Sequence, residues 1–373
     1  MPVRKVVYDA RPRDRMSTDL PLTSPTPPTT DDRLIWDLWL THTYQAAIVV
    51  ADDAGVFATL VQTPMTIEEL ADRLDADVRA VGILLRLLAS LGLLVLRDAR
   101  FALTDHARVY LLKSSPFYWG PMLRVGVNEW HLSRLSQVLA AKGSADASGP
   151  QGTPTAEGTG RAADSWAMGS VSPEQARAIA ARMHSHSVLP SMAAARNADL
   201  GGVNRVLDVG GGSGCFAIAM AQAHPHLRAT VMELSAMCDV AQTYIAAGGV
   251  ADRVETVAVD MFRQPWPTGY DAVFFSNVWH DWNLKTCTWL AQRTYDVLPS
   301  GGRILLHEML LDDDGAGPAT TASFSMLMLL ATQGQQFTFG ELKTVLESVG
   351  FGRVQATHSS GYYSITSAIK EHS

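Results

Sequence analysis

Ten consecutive residues, Arg205-Val206-Leu207-Asp208-Val209-Gly210-Gly211-Gly212-Ser213-Gly214, carry the clearest chemistry in the chain. Val206, Leu207 and Val209 read as a buried strand, and Phe216 to Ala223 as the helix that follows it. Between them Gly210, Gly212 and Gly214 permit a sharp turn and leave bare main chain against which a ligand can lie. A turn at the carboxyl end of the first strand of an open α/β sheet is where ligands bind. A dinucleotide fingerprint would place its third glycine at position 215, which is Cys215. The spacing is G-x-G-x-G instead. Asp208 precedes the turn, and Glu233 closes the next strand with a carboxylate suited to a ribose diol. Such a diol occurs in NAD and in S-adenosylmethionine, and the loop spacing favours S-adenosylmethionine. A glycine turn that simply joins strand to helix is the competing interpretation.

The elements that must hold this turn fit within 373 residues, enough for two or three units of domain size. Nearly half the residues are hydrophobic (47%) and 18% are charged, which gives ample core. The net charge of −7 and the lack of a Lys/Arg-rich run argue against a nucleic-acid partner. Cys215, Cys238 and Cys287 have no metal-ligand spacing, and three scattered cysteines suit a reducing cytoplasm. No metal site is expected: His184, His186, His224 and His226 lack carboxylates at ligand spacing. No run is long and apolar enough to suggest a membrane span.

Residues 1–30 are polar and proline-rich without an apolar signal region, and are expected to be a disordered leader. Residues 31–142 read as a helical domain. Helical spacing runs from Leu34 to Val50. Thr66 and Glu69 form a capping box, a helix follows Asp77, and two short strands, Leu93–Leu96 and Phe101–Leu103, make a wing. Helix, helix and wing suggest winged-helix geometry and thus a DNA-binding regulator as one alternative. The would-be recognition helix, however, shows only Arg79 and Arg86 among apolar neighbours, so burial against a partner chain is expected. Phe117 to Leu139 reads as further helix, 143–163 as a flexible insertion, and 164–200 as connecting helices, one capped by Ser172 with Pro173 in its first turn.

Residues 201–373 alternate strands and helices, which implies a parallel sheet. Strands are expected at Arg205–Gly210, Ala229–Leu234, Arg253–Asp260, Tyr270–Val278 and Arg303–Leu311. Arg353–Thr357 and Tyr362–Ile369 leave no room for a crossover helix and should form an antiparallel edge hairpin.

The stretch Asp208 to Gly214, the pair Asp260-Met261, the tripeptide His280-Asp281-Trp282, and Gly301-Gly302-Arg303 leading to Glu308 together resemble the S-adenosylmethionine-dependent small-molecule O-methyltransferases. These include plant caffeic acid enzymes and bacterial antibiotic-tailoring enzymes. The resemblance covers roughly Asp31 to Lys370. It implies a Rossmann-like catalytic domain behind a winged-helix domain that dimerises, hence a homodimer. It places Gly210 and Gly212 against the cofactor, Glu233 on the ribose, Asp260 and Met261 beside the adenine, and Ser187 at the carboxylate end. Ser276 joins them on the cofactor side. Met183, Trp279, Met326 and Gln336 are implied to meet the small aromatic acceptor.

His280 is the implied general base. Methyl transfer displaces a neutral thioether, so the leaving group needs no acid, whereas a phenol is mostly protonated at neutral pH and needs its proton removed. Glu308, 28 residues on at the end of the next strand, can orient the ring. Where the family often has a second carboxylate in Gly-x-Glu-Arg-Thr, this chain reads Gly334-Gln335-Gln336-Phe337-Thr338. That departure keeps C-methylation ortho to a phenol, on a tyrosine-like acceptor, as an alternative to O-methylation.

Overall fold

The computed structural model describes residues 28–115, 117–124, 127–141 and 172–371. The expected insertion at 143–163, and the expected leader apart from residues 28–30, lie outside them.

The N-terminal half is helical: α1 (Arg33–Leu40), α2 (His42–Asp53), α3 (Val56–Leu60), α4 (Ile67–Leu74) and α5 (Val78–Ser90). A hairpin, β1 (Leu94–Arg97) with β2 (Arg100–Leu103), follows, then α6 (Asp105–Tyr110), α7 (Gly120–Leu123) and α8 (Glu129–Ala140). The expected capping box on α4 is present, with Glu69 N donating to Thr66 Oγ1 and Thr66 N to Glu69 Oε2. The continuous helix expected from Phe117 to Leu139 is instead two, because Asn128 starts α8 anew by capping the His131 amide.

A 25-residue helix, α9 (Pro173–Asn197), passes through Pro190 without ending and leads to the sheet. The C-terminal half then runs β3 (Arg205–Val209), α10 (Cys215–Ala223), β4 (Arg228–Glu233), α11 (Ser235–Ala247), β5 (Val254–Ala258) and β6 (Ala272–Ser276). It continues with α12 (Leu284–Val297), β7 (Arg303–Met309), α13 (Ala319–Ala331), α14 (Phe339–Val349), β8 (Phe351–Ser360) and β9 (Tyr363–Lys370). The seven-stranded sheet has the order β5-β4-β3-β6-β7-β9-β8. The first five strands are parallel, and β9 pairs antiparallel with both β7 and β8, the edge hairpin that the short connection demands. The strand order reverses between β3 and its neighbours β4 and β6, and the crevice outside their carboxyl ends is a natural ligand position.

Sequence patterning missed α13, which is apolar nearly all round and so lacks an amphipathic period. It is buried on two sides. Ala322, Met326, Leu329 and Leu330 complete the N-terminal core with Leu84 and Leu88, while Phe324 and Met328 join Trp36, Leu40 and Tyr363. The helix α5 therefore buries against α13 of its own chain, which corrects the expectation of burial against a partner. Arg86 pairs with Glu341 at 3.6 Å, and Arg79 donates to the carbonyls of Thr332 and Gly334. Neither arginine is presented to a nucleic acid. No described helix is long and apolar enough to cross a membrane.

Candidate active site

The glycine turn stands at the carboxyl end of β3. Gly210, Gly212 and Gly214 all have positive φ (+66°, +57° and +75°), a region closed to most side chains. Each glycine has its own constraint. A Cβ on Gly210 would lie 3.0 Å from Val278, one on Gly211 would lie 2.6 Å from Asp208 Oδ2, and one on Gly212 would meet open space. Glu233, at the end of β4, accepts hydrogen bonds from Gly212 N (3.3 Å) and Leu234 N (2.8 Å). Burial raises its pKa above the usual carboxylate range. Burial likewise pushes Asp208 up to about 7. Ser213 Oγ lies 2.9 Å from His184 Nδ1, which ties α9 to the turn. Open space over Gly212, bounded by a carboxylate from the neighbouring strand, suits a ligand carrying a ribose diol.

The second centre is the turn after β6. Asn277 adopts a left-handed conformation (φ +53°), and Trp279–Asp281 form one short 3₁₀ turn. Glu308, from β7, holds this turn: its Oε1 accepts from Val278 N at 3.1 Å and Trp279 N at 3.0 Å. Its Oε2 lies 3.0 Å from His280 Nδ1. Gln336 Nε2 lies at the same distance, 3.0 Å, from the same nitrogen. Asp281 Oδ1 is 3.9 Å from Nε2. His280 is 4% exposed. Burial works to lower its pKa, yet the charge and contact of Glu308, with Asp281 beyond, outweigh it and leave the imidazole above its ordinary range. Burial raises Asp281 to about 6.

Aromatic groups complete this side. The Phe324 ring meets His280 edge-on at 5.1 Å, and Trp36 packs on Phe324 (5.5 Å) and His186 (5.4 Å). Burial brings His186 down to about 4, so it stays neutral near His280.

The expected site residues divide into three groups. Gly210, Gly212, Glu233 and, one strand further, Asp260 and Met261 stand along the carboxyl edge of β3, β4 and β5. His280, Glu308 and Gln336 come together within hydrogen-bonding distance. Of the rest, Trp279, Met326 and Gln336 lie differently from expectation. Trp279 points into the core, fully buried against Phe275. Met326 is buried in the N-terminal core, since two residues along a helix put it about 200° round from Phe324. Gln336 sits behind the imidazole, wholly buried, and contacts the base rather than an acceptor. Ser276 Oγ bonds to His307 Nδ1 at 2.9 Å, and Ser187 Oγ donates to the Met183 carbonyl at 2.7 Å. Met183 is half-exposed.

Sequence reasoning missed Trp36, which comes from the far end of the chain. It also missed Gly334, whose Cβ would fall 1.9 Å from the His280 carbonyl and 2.5 Å from Trp282 N. A signal existed for Gly334, a glycine one residue before the Gln335-Gln336-Phe337 departure, but only the contact explains it.

A family model for an O-methyltransferase domain matches residues 147–352, and one for an O-methyltransferase dimerisation domain matches 36–113. A 3-hydroxy-5-methyl-1-naphthoate 3-O-methyltransferase from Streptomyces sahachiroi is 33% identical over 346 residues, covering 92% of this chain and 95% of the relative. An L-tyrosine C(3)-methyltransferase from Streptomyces lavendulae is 28% identical over 321 residues, covering 85% of this chain and 86% of the relative. Among solved structures, an O-methyltransferase family 2 protein from Planctomyces limnophilus, in complex with apigenin, superposes with a TM-score of 0.80 at 24% identity. That match covers 93% of this chain and 98% of that one.

Proposed function

The chain belongs to the O-methyltransferase family with S-adenosylmethionine as cofactor, and we propose that it methylates a phenolic hydroxyl of a small aromatic acceptor in natural-product biosynthesis, with His280 as general base. One observation carries this reading: His280 Nδ1 lies 3.0 Å from a carboxylate whose other oxygen is fixed by two backbone amides. Glu308 thereby sets the ring orientation and favours a proton on Nδ1, which leaves Nε2 to take the acceptor proton.

The bound cofactor supplies an electrophilic methyl group on a sulfonium. Gly210 and Gly212 offer main chain to it, Glu233 takes the ribose hydroxyls, and Asp260 with Met261 flanks the base. Ser187 and Ser276 are placed at its margins. Met183 stands at the open side, where the acceptor enters. Phe324 and Trp36 present ring faces and edges to an aromatic ring. The protein's main contribution is alignment of hydroxyl oxygen, methyl carbon and sulfur, with the oxygen about 3 Å from the methyl. The naphthoate relative's name supports a fused aromatic hydroxy acid as the acceptor class. The dimerisation domain, together with Leu34, Ile35, Leu38 and Trp39 exposed along α1, supports a homodimer.

Incubation with methyl-labelled S-adenosylmethionine and 3-hydroxy-1-naphthoate, followed by NMR of the product, tests the reading. Label on oxygen is the expected result. The tyrosine C-methyltransferase relative supports a second outcome, label on the ring carbon ortho to the hydroxyl, reached through the same phenolate. No transfer to any aromatic hydroxyl, with cofactor bound, would overturn both.

A further inference from the structure

The nitrogen behind the base has two neighbours that ask opposite things of it. Glu308 Oε2 and Gln336 Nε2 each lie 3.0 Å from His280 Nδ1. A carboxylate can only accept a hydrogen bond, and an amide NH₂ can only donate one. As placed, the amide makes the hydrogen bond to Nδ1, and Glu308 Oε2, though 3.0 Å away, is buried without a hydrogen-bond partner; with Nδ1 protonated, the amide must turn about its last bond and present Oε1. That oxygen is buried and has no hydrogen-bond partner, so the turn breaks no other bond. The root of the side chain stays fixed meanwhile, because Gln336 N donates to Ser325 Oγ at 2.9 Å. Gln336 is wholly buried, so water cannot serve in its place.

We propose that Gln336 is a positioning residue for His280, a neutral amide whose oxygen turns to the Nδ1 proton and holds the ring with Nε2 toward the crevice, and that the resulting base suits an aromatic hydroxyl made acidic by conjugation with a carbonyl. The inference rests on His280 being the base of methyl transfer.

The groups facing the imidazole are Glu308 from β7, Asp281 from its own turn, His186 from α9, Gln336, and the uncharged Phe324 ring from α13. Of these Glu308 and Asp281 are the acidic groups, and His186 stays neutral. A carboxylate at position 336 would add another negative charge at about 3 Å in a desolvated site and favour the imidazolium alone. Once turned, the amide oxygen accepts from Nδ1–H in the neutral and the charged ring alike. The base is then weaker than a two-carboxylate site would make it, and its proton is more easily lost after transfer. An unactivated phenol, with a pKa near ~10, gives up its proton to such a base poorly, whereas a hydroxyl conjugated with a ring carbonyl gives it up readily.

The test uses the full-length enzyme with S-adenosylhomocysteine bound and ¹⁵N-labelled histidine, compared with Gln336→Glu and Gln336→Leu. NMR reports the His280 tautomer and titration without any acceptor. The expected result is a midpoint raised by about one pH unit or more in Gln336→Glu, and in Gln336→Leu a neutral ring that is no longer held as the single Nδ1–H tautomer. An unchanged Nδ1–H tautomer in Gln336→Leu, or coincident titrations of the original and Gln336→Glu, would overturn the positioning role. The acceptor class is read with a series of 1-naphthols graded in acidity. The activity of Gln336→Glu relative to the original should rise about tenfold from the strongest acid to the weakest. A flat ratio, or no transfer by either protein, would overturn the acceptor class. His280→Ala separates the readings: full turnover in that variant removes the base itself, whereas a flat Gln336 series leaves it standing.

Discussion

The two sides of the crevice are built by different means. On the proposed reading the donor side is mostly main chain: one strand, one glycine turn and one helix, contiguous from Arg205 to Ala223, joined by Glu233 at the end of β4 and by Asp260 and Met261 beyond β5. The acceptor side is made of side chains drawn from α1, α9, the 277–282 turn, β7, α13 and the loop before α14. A main-chain site is dictated by where a Cβ can fit, so little in it can vary while the ligand stays the same. A side-chain site is a sum of replaceable parts, and one substitution, such as an amide for a carboxylate at 336, can retune its chemistry without moving the backbone. The comparison holds if the two sides can be broken separately.

The largest separation should come from His280→Ala. Turnover is expected to fall by about 10²- to 10⁴-fold, the range for loss of a general base. Calorimetry should show S-adenosylmethionine affinity within about twofold of the original. If affinity falls in step with turnover, the two sides are one unit and the comparison fails.

Gly334→Ala attacks the acceptor side through its backbone. The added Cβ would lie 1.9 Å from the His280 carbonyl and 2.5 Å from Trp282 N, and neither main-chain group can swing aside as a side chain could. The turn must shift, and a misplacement of that order costs about 10²-fold in turnover. Donor affinity again measures whether the shift stays on its own side.

The pH profile sharpens the same point. As the proposed base, His280 must be neutral to accept a proton, and Glu308 raises its pKa above the ordinary ~6.5. The kcat/KM should therefore fall on the acid side with a midpoint above ~6.5. The sign for stability is opposite: a raised histidine pKa favours the folded state at low pH, and that contribution is lost as pH rises through the folded value. Activity thus rises over the range in which this contribution to stability declines. A kcat/KM limb below ~6.5 would mean that the Glu308 contact does not govern the base.

The sequence was most legible where the chain is local. The strand, turn and helix around Gly210 to Gly214, the alternation that makes the sheet parallel, and the edge hairpin at β8 and β9 all follow from short-range pattern. The pairing of His280 with Glu308 was legible because both lie at the carboxyl ends of adjacent parallel strands, β6 and β7. The aromatic wall was not. Phe324 and Met326 look equivalent in a line of text, but helical geometry sends one to the site and the other to the N-terminal core. Trp279 looked like a pocket residue beside the base, yet its side chain is buried in the core against Phe275. Trp36 could not be placed at all, because its partners Phe324 and Tyr363 lie about 300 residues away.

The smallest expected effect concerns how the N-terminal half reaches the base. Arg79, on α5, donates to the carbonyls of Thr332 and Gly334, and Gly334 rests on the His280 turn. Its guanidinium is largely buried, and burial lowers its pKa to about 10, still charged at neutral pH. Arg79→Met keeps most of the apolar stem but leaves two carbonyls without their donor. The expected cost is about 1.5–3 kcal/mol of stability, read by chemical denaturation. Turnover should fall only a few-fold, because Glu308 holds the turn from the sheet side by two backbone amides of its own. Donor affinity should not change. If turnover collapsed as far as in Gly334→Ala, the loop would owe its place to α5 rather than to the sheet, and the acceptor side would have to be counted as part of the N-terminal domain.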